Sequence, residues 1–210
     1  MKQRSKNEFF KQNKSYLRDI HNRMQHSRDL VSEYIKDKDV IDWGAGPGHR
    51  AKVLEAWGAA SIRCWDPNAW CKAIFNGIYT SNQITWIDNP YNLTCDILYI
   101  ADLHTIAGDK PFEWWESVLD TITCKYIIVT WHTSANDPDR LDRFLTCAPY
   151  WMFFSTQGHN TTVDGYELYT SSDKTKIIHY QVDKYDPYPD NPESDLIPFE
   201  DVHVMILEML

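Results

Sequence analysis

Residues 38–66 read KDVIDWGAGPGHRAKVLEAWGAASIRCWD, and the order of residue types in this stretch decides the fold. Val40-Ile41 is a β-prone apolar run that ends on Asp42. Gly44, Gly46 and Gly48 follow, each separated by one residue. Ala51, Val53, Leu54 and Trp57 then recur at helical spacing until Gly58 stops them. Ser61–Trp65 is a second β-prone run, and it ends on Asp66. Strand, glycine turn, helix, strand and acid make the first half of a doubly wound α/β domain. The right-handed crossover expected of such a unit puts the turn and Asp66 at one edge of the sheet.

Glycines let a backbone take positive φ and let a ligand lie against bare main chain. A helix starting near His49 offers N–H groups and a positive dipole end. An acid closing the second strand can accept hydrogen bonds from both hydroxyls of a ribose. This edge therefore suits a nucleoside with an amino-acid or phosphate tail. The spacing is G-x-G-x-G, unlike the G-x-G-x-x-G of dinucleotide sites, and an acid precedes the first glycine by two residues. VIDWGAGPG closely resembles motif I of the class I S-adenosylmethionine-dependent methyltransferases. Asp66, in CWDPN, stands where that family keeps its ribose-binding acid.

The resemblance runs from Arg28 to Thr170. It implies a doubly wound, mostly parallel seven-stranded methyltransferase sheet with a C-terminal antiparallel hairpin and an N-terminal helical segment. It also implies S-adenosyl-L-methionine as cofactor, and not NAD. The cofactor-binding residues it implies are Asp42, Trp43, Gly44, Ala45, Gly46, Gly48, Asp66, Pro67, Asp88, Asn89, Ala101 and Asp102. Among these, Asp88 would read the adenine amino group, although Asp88-Asn89-Pro90 is also an ordinary surface turn. Asn89-Pro90-Tyr91 shares only part of the D-P-P-Y motif of amino-methylating DNA enzymes. It follows the third strand, where that motif follows the fourth.

Apolar stripes in residues 1–36 predict an N-terminal helical segment, which in the resembling family often covers the cofactor pocket. Residues 37–182 form the expected methyltransferase domain. Within it, QITWI (83–87) reads as the third strand and CDILYIA (95–101) as a fourth, buried on both faces. FEWWESVLDT (112–121) reads as a crossover helix, YIIVTW (126–131) as the fifth strand and WMFFST (151–156) as a sixth. Tyr166–Thr170 and Lys176–Val182 read as a hairpin pair. Residues 183–210 read as an acidic, Pro-rich tail with the apolar end DVHVMILEML. That end should dock on this chain, on a second copy or on another protein.

At 210 residues the chain fits one domain with a full core. No apolar run reaches the roughly 18 residues of a membrane span. The N-terminus lacks the apolar stretch of a signal peptide. Five scattered cysteines, without C-x-x-C spacing, read as reduced buried thiols, so a cytoplasmic location is expected. The net charge of −9 argues against general affinity for nucleic acid. The basic residues are concentrated at the N-terminus: Lys2, Arg4, Lys6, Lys11, Lys14, Arg18, Arg23 and Arg28 face only Glu8 and Asp19 before residue 29.

Methyl transfer is an in-line displacement in which the protein aligns the reactants and can accept a proton. His104, His132 and His159 fall near strand ends that would build the acceptor side, with His104 expected closest. Each alone reads more readily as a hydrogen-bonded loop histidine; together they imply one facing the acceptor. Long intervals and the absence of H-x-x-x-H or H-x-E units argue against a metal site. The expected function is methyl transfer to an oxygen or nitrogen of a small-molecule or protein acceptor. The alternatives are a methyltransferase-fold binding protein without turnover, and a nucleic-acid methyltransferase using the basic N-terminal segment.

Overall fold

The computed structural model describes residues 24–78, 81–101, 117, 118, 120–134, 159–164, 166–170, 174–185 and 200–210. The helices are α1 (Arg28–Ile35), α2 (His49–Ala56) and α3 (Ala69–Ile78). The strands are β1 (Asp39–Trp43), β2 (Ser61–Trp65), β3 (Ile84–Trp86), β4 (Leu93–Thr94), β5 (Ile97–Ala101), β6 (Ile122–Thr123), β7 (Tyr126–Ser134), β8 (His159–Val163), β9 (Tyr166–Thr170), β10 (Thr175–Tyr185) and β11 (Glu200–Met209). Seven strands form one sheet in the order β10-β11-β7-β5-β1-β2-β3. β1, β2, β3, β5 and β7 run parallel, and β11 is antiparallel to both of its neighbours.

Alternation of side chains divides the core between the two faces. Val40, Ile62, Tyr99, Ile128, Val204 and Ile206 pack with α1, α2 and Phe75 of α3. Ile41, Trp43, Leu98, Ile100, Val129, Met205 and Leu207 pack on the other face. Strands with both faces covered need apolar residues at every position, which is the pattern of Ile97–Ala101.

The C-terminal hairpin is made by other segments than the sequence suggests. Tyr166–Thr170 pairs with His159–Val163 in a separate two-stranded ribbon, not with β10. The antiparallel partner of β10 is β11, with a bulge between Ile177 and His179. The apolar end is thus no appendage. Residues 200–209 lie inside the sheet between β7 and β10, so the boundary at 182 cuts through β10 and separates β11 from the domain it completes. Leu210, at the very end, is largely exposed, at 77%. β7 also runs further than expected, to Ser134, which puts His132 inside the strand. Residues 1–23, most of 112–121 and the proposed strand 151–156 lie outside the described residues.

Leu207 is fully buried and pairs with Ile127 on one side and Ile177 on the other. Leu207→Ala should lower stability by about 2–5 kcal/mol through the lost side chain and the cavity left behind. Urea unfolding of the two proteins measures this directly; a change below about 0.5 kcal/mol would mean the strand is not part of the cooperative core.

Candidate functional site

Register brings the sequence-predicted residues to one level. Trp43 pairs with Trp65 on one side and Ile100 on the other, and Ile100 pairs with Val129. One residue further along these parallel strands come Gly44, Asp66 and Ala101. Asp88 joins that level, since Cys64 pairs with Trp86 two residues earlier. Gly44, Asp66, Asp88 and Ala101 therefore mark the carboxyl edge, where doubly wound sheets carry their ligand crevices.

The glycine turn is hung on the end of β2. Gly44 N–H and Ala45 N–H both donate to Trp65 O at 2.8 Å, and Gly46 N–H donates to Asp66 Oδ2 at 3.0 Å. Gly44, Gly46 and Gly48 all have positive φ (75°, 55° and 87°), the region where a side chain is costly. The three N–H groups that would otherwise greet a ligand are thus already used. The turn offers instead the first turn of α2 and an open face. A Cβ built at Gly46 would meet no heavy atom within 4 Å among the described residues.

Asp66 does two things at once. Oδ2 clamps the turn, while Oδ1 accepts from Asn68 N–H (2.8 Å) and Asn68 Nδ2 (2.9 Å). Three N–H donors fix the carboxylate in place, and the Cys71 thiol also hydrogen-bonds to it. Pro67 beside it is exposed.

Beneath the turn is a charged pair that the motif does not predict. Asp42 is completely buried, with 0% exposure. Arg50, on the first turn of α2 and buried to 8% side-chain exposure, lies 3.4 Å from Asp42 Oδ1 and donates to Gly44 O. Asp42 Oδ2 has no hydrogen-bond partner among the described residues. Burial raises the Asp42 pKa; Arg50 opposes the shift and Asp66 adds to it. Arg50 is the residue that motif reading missed. The signal was present, as an arginine two residues after the last glycine, on the first turn of the helix.

The remaining assigned residues are placed as follows. Trp43 is fully buried on the face away from α2, edge-on to Trp65 (4.8 Å) and Tyr91 (6.0 Å). Asp88 is exposed and paired with Lys72 of α3. Asn89 Oδ1 accepts the Tyr91 N–H at 3.0 Å, so Asn89-Pro90-Tyr91 does form a local turn. Ala101 closes β5. Asp102 and His104 lie outside the described residues. His132, on β7 opposite Val202, is two residues beyond Thr130, the partner of Ala101, and so at the same edge. His159 opens β8 in the ribbon, whose turn residue Asp164 accepts the Tyr180 N–H of β10 at 2.9 Å. His132 and His159 thus belong to different sheets. Among the described residues no group of three or more His, Cys, Asp or Glu could hold a metal ion.

His49, at the start of α2, is pushed from 6.5 down to about 4, by burial first and then by the Arg50 charge. The unfolded chain binds this proton at higher pH than the folded one, so the contribution is complete above about pH 6.5 and fades as pH falls toward 4. Between pH 7 and pH 5 it should amount to about 2 kcal/mol. His49→Gln should flatten that part of the pH dependence, as measured by urea unfolding at the two pH values. An unchanged slope would show His49 titrating normally.

No protein-family model matches this sequence, and no curated protein matches it significantly. Solved structures do match. A protein described as a "putative RNA methyltransferase" from Pyrococcus horikoshii superposes with a TM-score of 0.54 at 12% identity, covering 90% of this chain and 81% of its own. YjhP from E. coli gives a TM-score of 0.51 at 9% identity, covering 88% and 92%. A "putative S-adenosylmethionine dependent methyltransferase" from Listeria monocytogenes gives 0.50 at 12% identity, covering 86% and 96%. No helix among the described residues is long and apolar enough to cross a membrane. With its strand order, its antiparallel β11 and these likenesses together, the chain has the class I methyltransferase fold.

Proposed function

We propose that the chain binds S-adenosylmethionine at the carboxyl edge and transfers its methyl group to an oxygen or nitrogen of a small-molecule or protein acceptor. The observation that carries this reading is the combination at the glycine turn. A buried carboxylate oxygen without a protein partner among the described residues stands below an open face at Gly46, and Asp66 is locked one residue past β2. These groups fit the cofactor's ammonium, its methionine chain and its ribose in turn. The first turn of α2 suits its carboxylate.

When bound, S-adenosylmethionine supplies an electrophilic methyl group on a sulfonium. This chain's own part is to hold the tail, fix the ribose and keep the acceptor in line. Asp66 accepts a ribose hydroxyl without having to reorganise, because three N–H groups already hold it. Lys72 competes for Asp88 in an exposed pair, and such pairs are worth little, so Asp88 is free to exchange it for an adenine amino group. A base at this edge would take the acceptor's proton; His132 is at the edge by register, and His104 and His159 stay candidates by sequence position.

A nucleic-acid acceptor is the second reading. The basic residues before residue 29 favour it, while the net charge of −9 opposes it. The Pyrococcus protein's description points the same way. If it holds, salt-dependent RNA or DNA affinity should vanish when residues 1–28 are removed.

Calorimetry with S-adenosylhomocysteine should show binding by the wild type. Asp66→Ala should lose about 1.5–3 kcal/mol of it, because a charge-assisted hydrogen bond and the clamp on Gly46 go together. Unchanged affinity in folded Asp66→Ala protein would overturn the site. Labelled-methyl transfer into fractionated cell extract then compares His104→Ala, His132→Ala and His159→Ala. The variant lacking the base should transfer about 10²–10⁴ times more slowly with cofactor affinity retained. No transfer by the wild type into any fraction would favour a binding protein.

A further inference from the structure

We propose that Arg50 is a positioning residue: its guanidinium keeps Asp42 ionised beneath the glycine turn, so that Asp42 Oδ2 is an anionic acceptor for the cofactor's α-ammonium. The inference rests on the cofactor reading above. It adds a residue and a role that the G-x-G-x-G pattern does not contain.

A carboxylate with no exposure at all is driven toward its neutral acid. A neutral acid at this place would meet an ammonium as a dipole and could not balance its charge. Both influences that hold Asp42 toward the ionised form come from Arg50, as charge and as hydrogen bond. Arginine suits the task because its guanidinium stays charged when buried. Its geometry also divides the carboxylate: Arg50 Nη2 is 3.4 Å from Oδ1, and Oδ2 is left over. The same guanidinium donates to Gly44 O, so one group sets both the charge state below the turn and the direction of its first carbonyl.

Among the described residues, no other group that influences Asp42 or packs beside it replaces Arg50. Asp66, past the end of β2, is an acid and pushes Asp42 the wrong way. Cys64 on β2 carries a thiol raised well above its ordinary range by burial and by Asp42. His49, beside Arg50 on α2, is neutral at pH 7 because its pKa is pushed down to about 4. Cys71 on α3 is likewise held in its thiol form by burial.

The test follows S-adenosylhomocysteine affinity against pH in the wild type, Arg50→Gln, Arg50→Lys, Asp42→Asn and Asp42→Asn/Arg50→Gln. Binding by the wild type should weaken at low pH as Asp42 protonates. Arg50→Gln should move that acid limb up by about 1–3 pH units, the usual effect of losing an adjacent opposite charge. Arg50→Lys should keep it near the wild-type position. Asp42→Asn should lose about tenfold or more in affinity at neutral pH and show no acid limb. The double variant should match it, because no carboxylate is left to titrate.

A second measurement needs no cofactor. The carbon-13 carboxyl resonance of Asp42 in the ligand-free protein should titrate higher in Arg50→Gln than in the wild type. An unmoved midpoint, with only a lower melting temperature, would show that Arg50 merely braces the turn. If Asp42 shifts as expected but no protein binds S-adenosylhomocysteine, the ammonium assignment falls with the cofactor reading. Should Arg50→Gln fail to fold, Arg50→Met is a second neutral variant. The double variant removes both buried charges at once and so avoids leaving either alone.

Discussion

The carboxyl edge depends on Trp65, the last residue of β2, and Asp66, just past it, accepting three backbone N–H groups. Trp65 O takes Gly44 and Ala45, and the Asp66 carboxylate takes Gly46. A turn whose alternate glycines 44, 46 and 48 all take positive φ has no intrinsic reason to hold one shape. Tied to β2 they do, and the pairing of β1 with β2 then sets the turn's height over the sheet. The acid that would read a ribose is therefore also the acid that shapes the turn. A substitution at Asp66 would remove the proposed ribose contact and loosen the turn beside it, so the two effects cannot be separated by that residue alone.

Much of this was legible in the sequence because it is local. Val40, Ile41, the alternate glycines and the apolar spacing of Ala51, Val53 and Leu54 define strand, turn and helix within twenty residues, and each came out where it was read. The near alignment of Asp66, Asp88 and Ala101 was legible too, because parallel strands joined by right-handed crossovers bring successive carboxyl ends to one side. What was not legible is partner choice between distant segments. Tyr166–Thr170 and Lys176–Val182 are neighbours in sequence with a polar link, and a short connection normally means a hairpin. β10 pairs with β11 instead, across a long acidic segment, because Val204, Met205, Ile206 and Leu207 are apolar on both faces and need an interior position. Tyr166–Thr170 (YELYT) carries Glu167 and Thr170 among its five residues and lacks the unbroken apolar run of β11, so it has less need of an interior position.

The same reasoning explains why the C-terminal decamer looked like a docking segment. Its composition demanded burial, and burial was correctly anticipated. Composition does not say against what. The deciding fact is the antiparallel slot between β7 and β10, which exists only once β7 has been placed beside β5. The segment supplies five register pairs to buried or half-buried positions of β7 between Tyr126 and Thr130, so it extends the core on both faces at once. An edge strand of that length and hydrophobicity without such a slot would be a template for association.

Asp42 and Arg50 were the least legible part of the site, and the reason is energetic. Two ionised groups under a glycine turn are not what stability alone would select. A buried pair often does no better than apolar residues of the same volume, since desolvation offsets much of its attraction. Here the pairing is also incomplete: one contact at 3.4 Å leaves Asp42 with a raised pKa and a free oxygen. Apolar residues at both positions would let β1 and α2 pack as well, but they would leave nothing to meet a cation at the turn. An arrangement that stability disfavours and that ends on an unpaired, buried acceptor is what the proposed ammonium site requires. Burial and geometry at Asp42 and Arg50 thus mark the same edge as the glycine spacing.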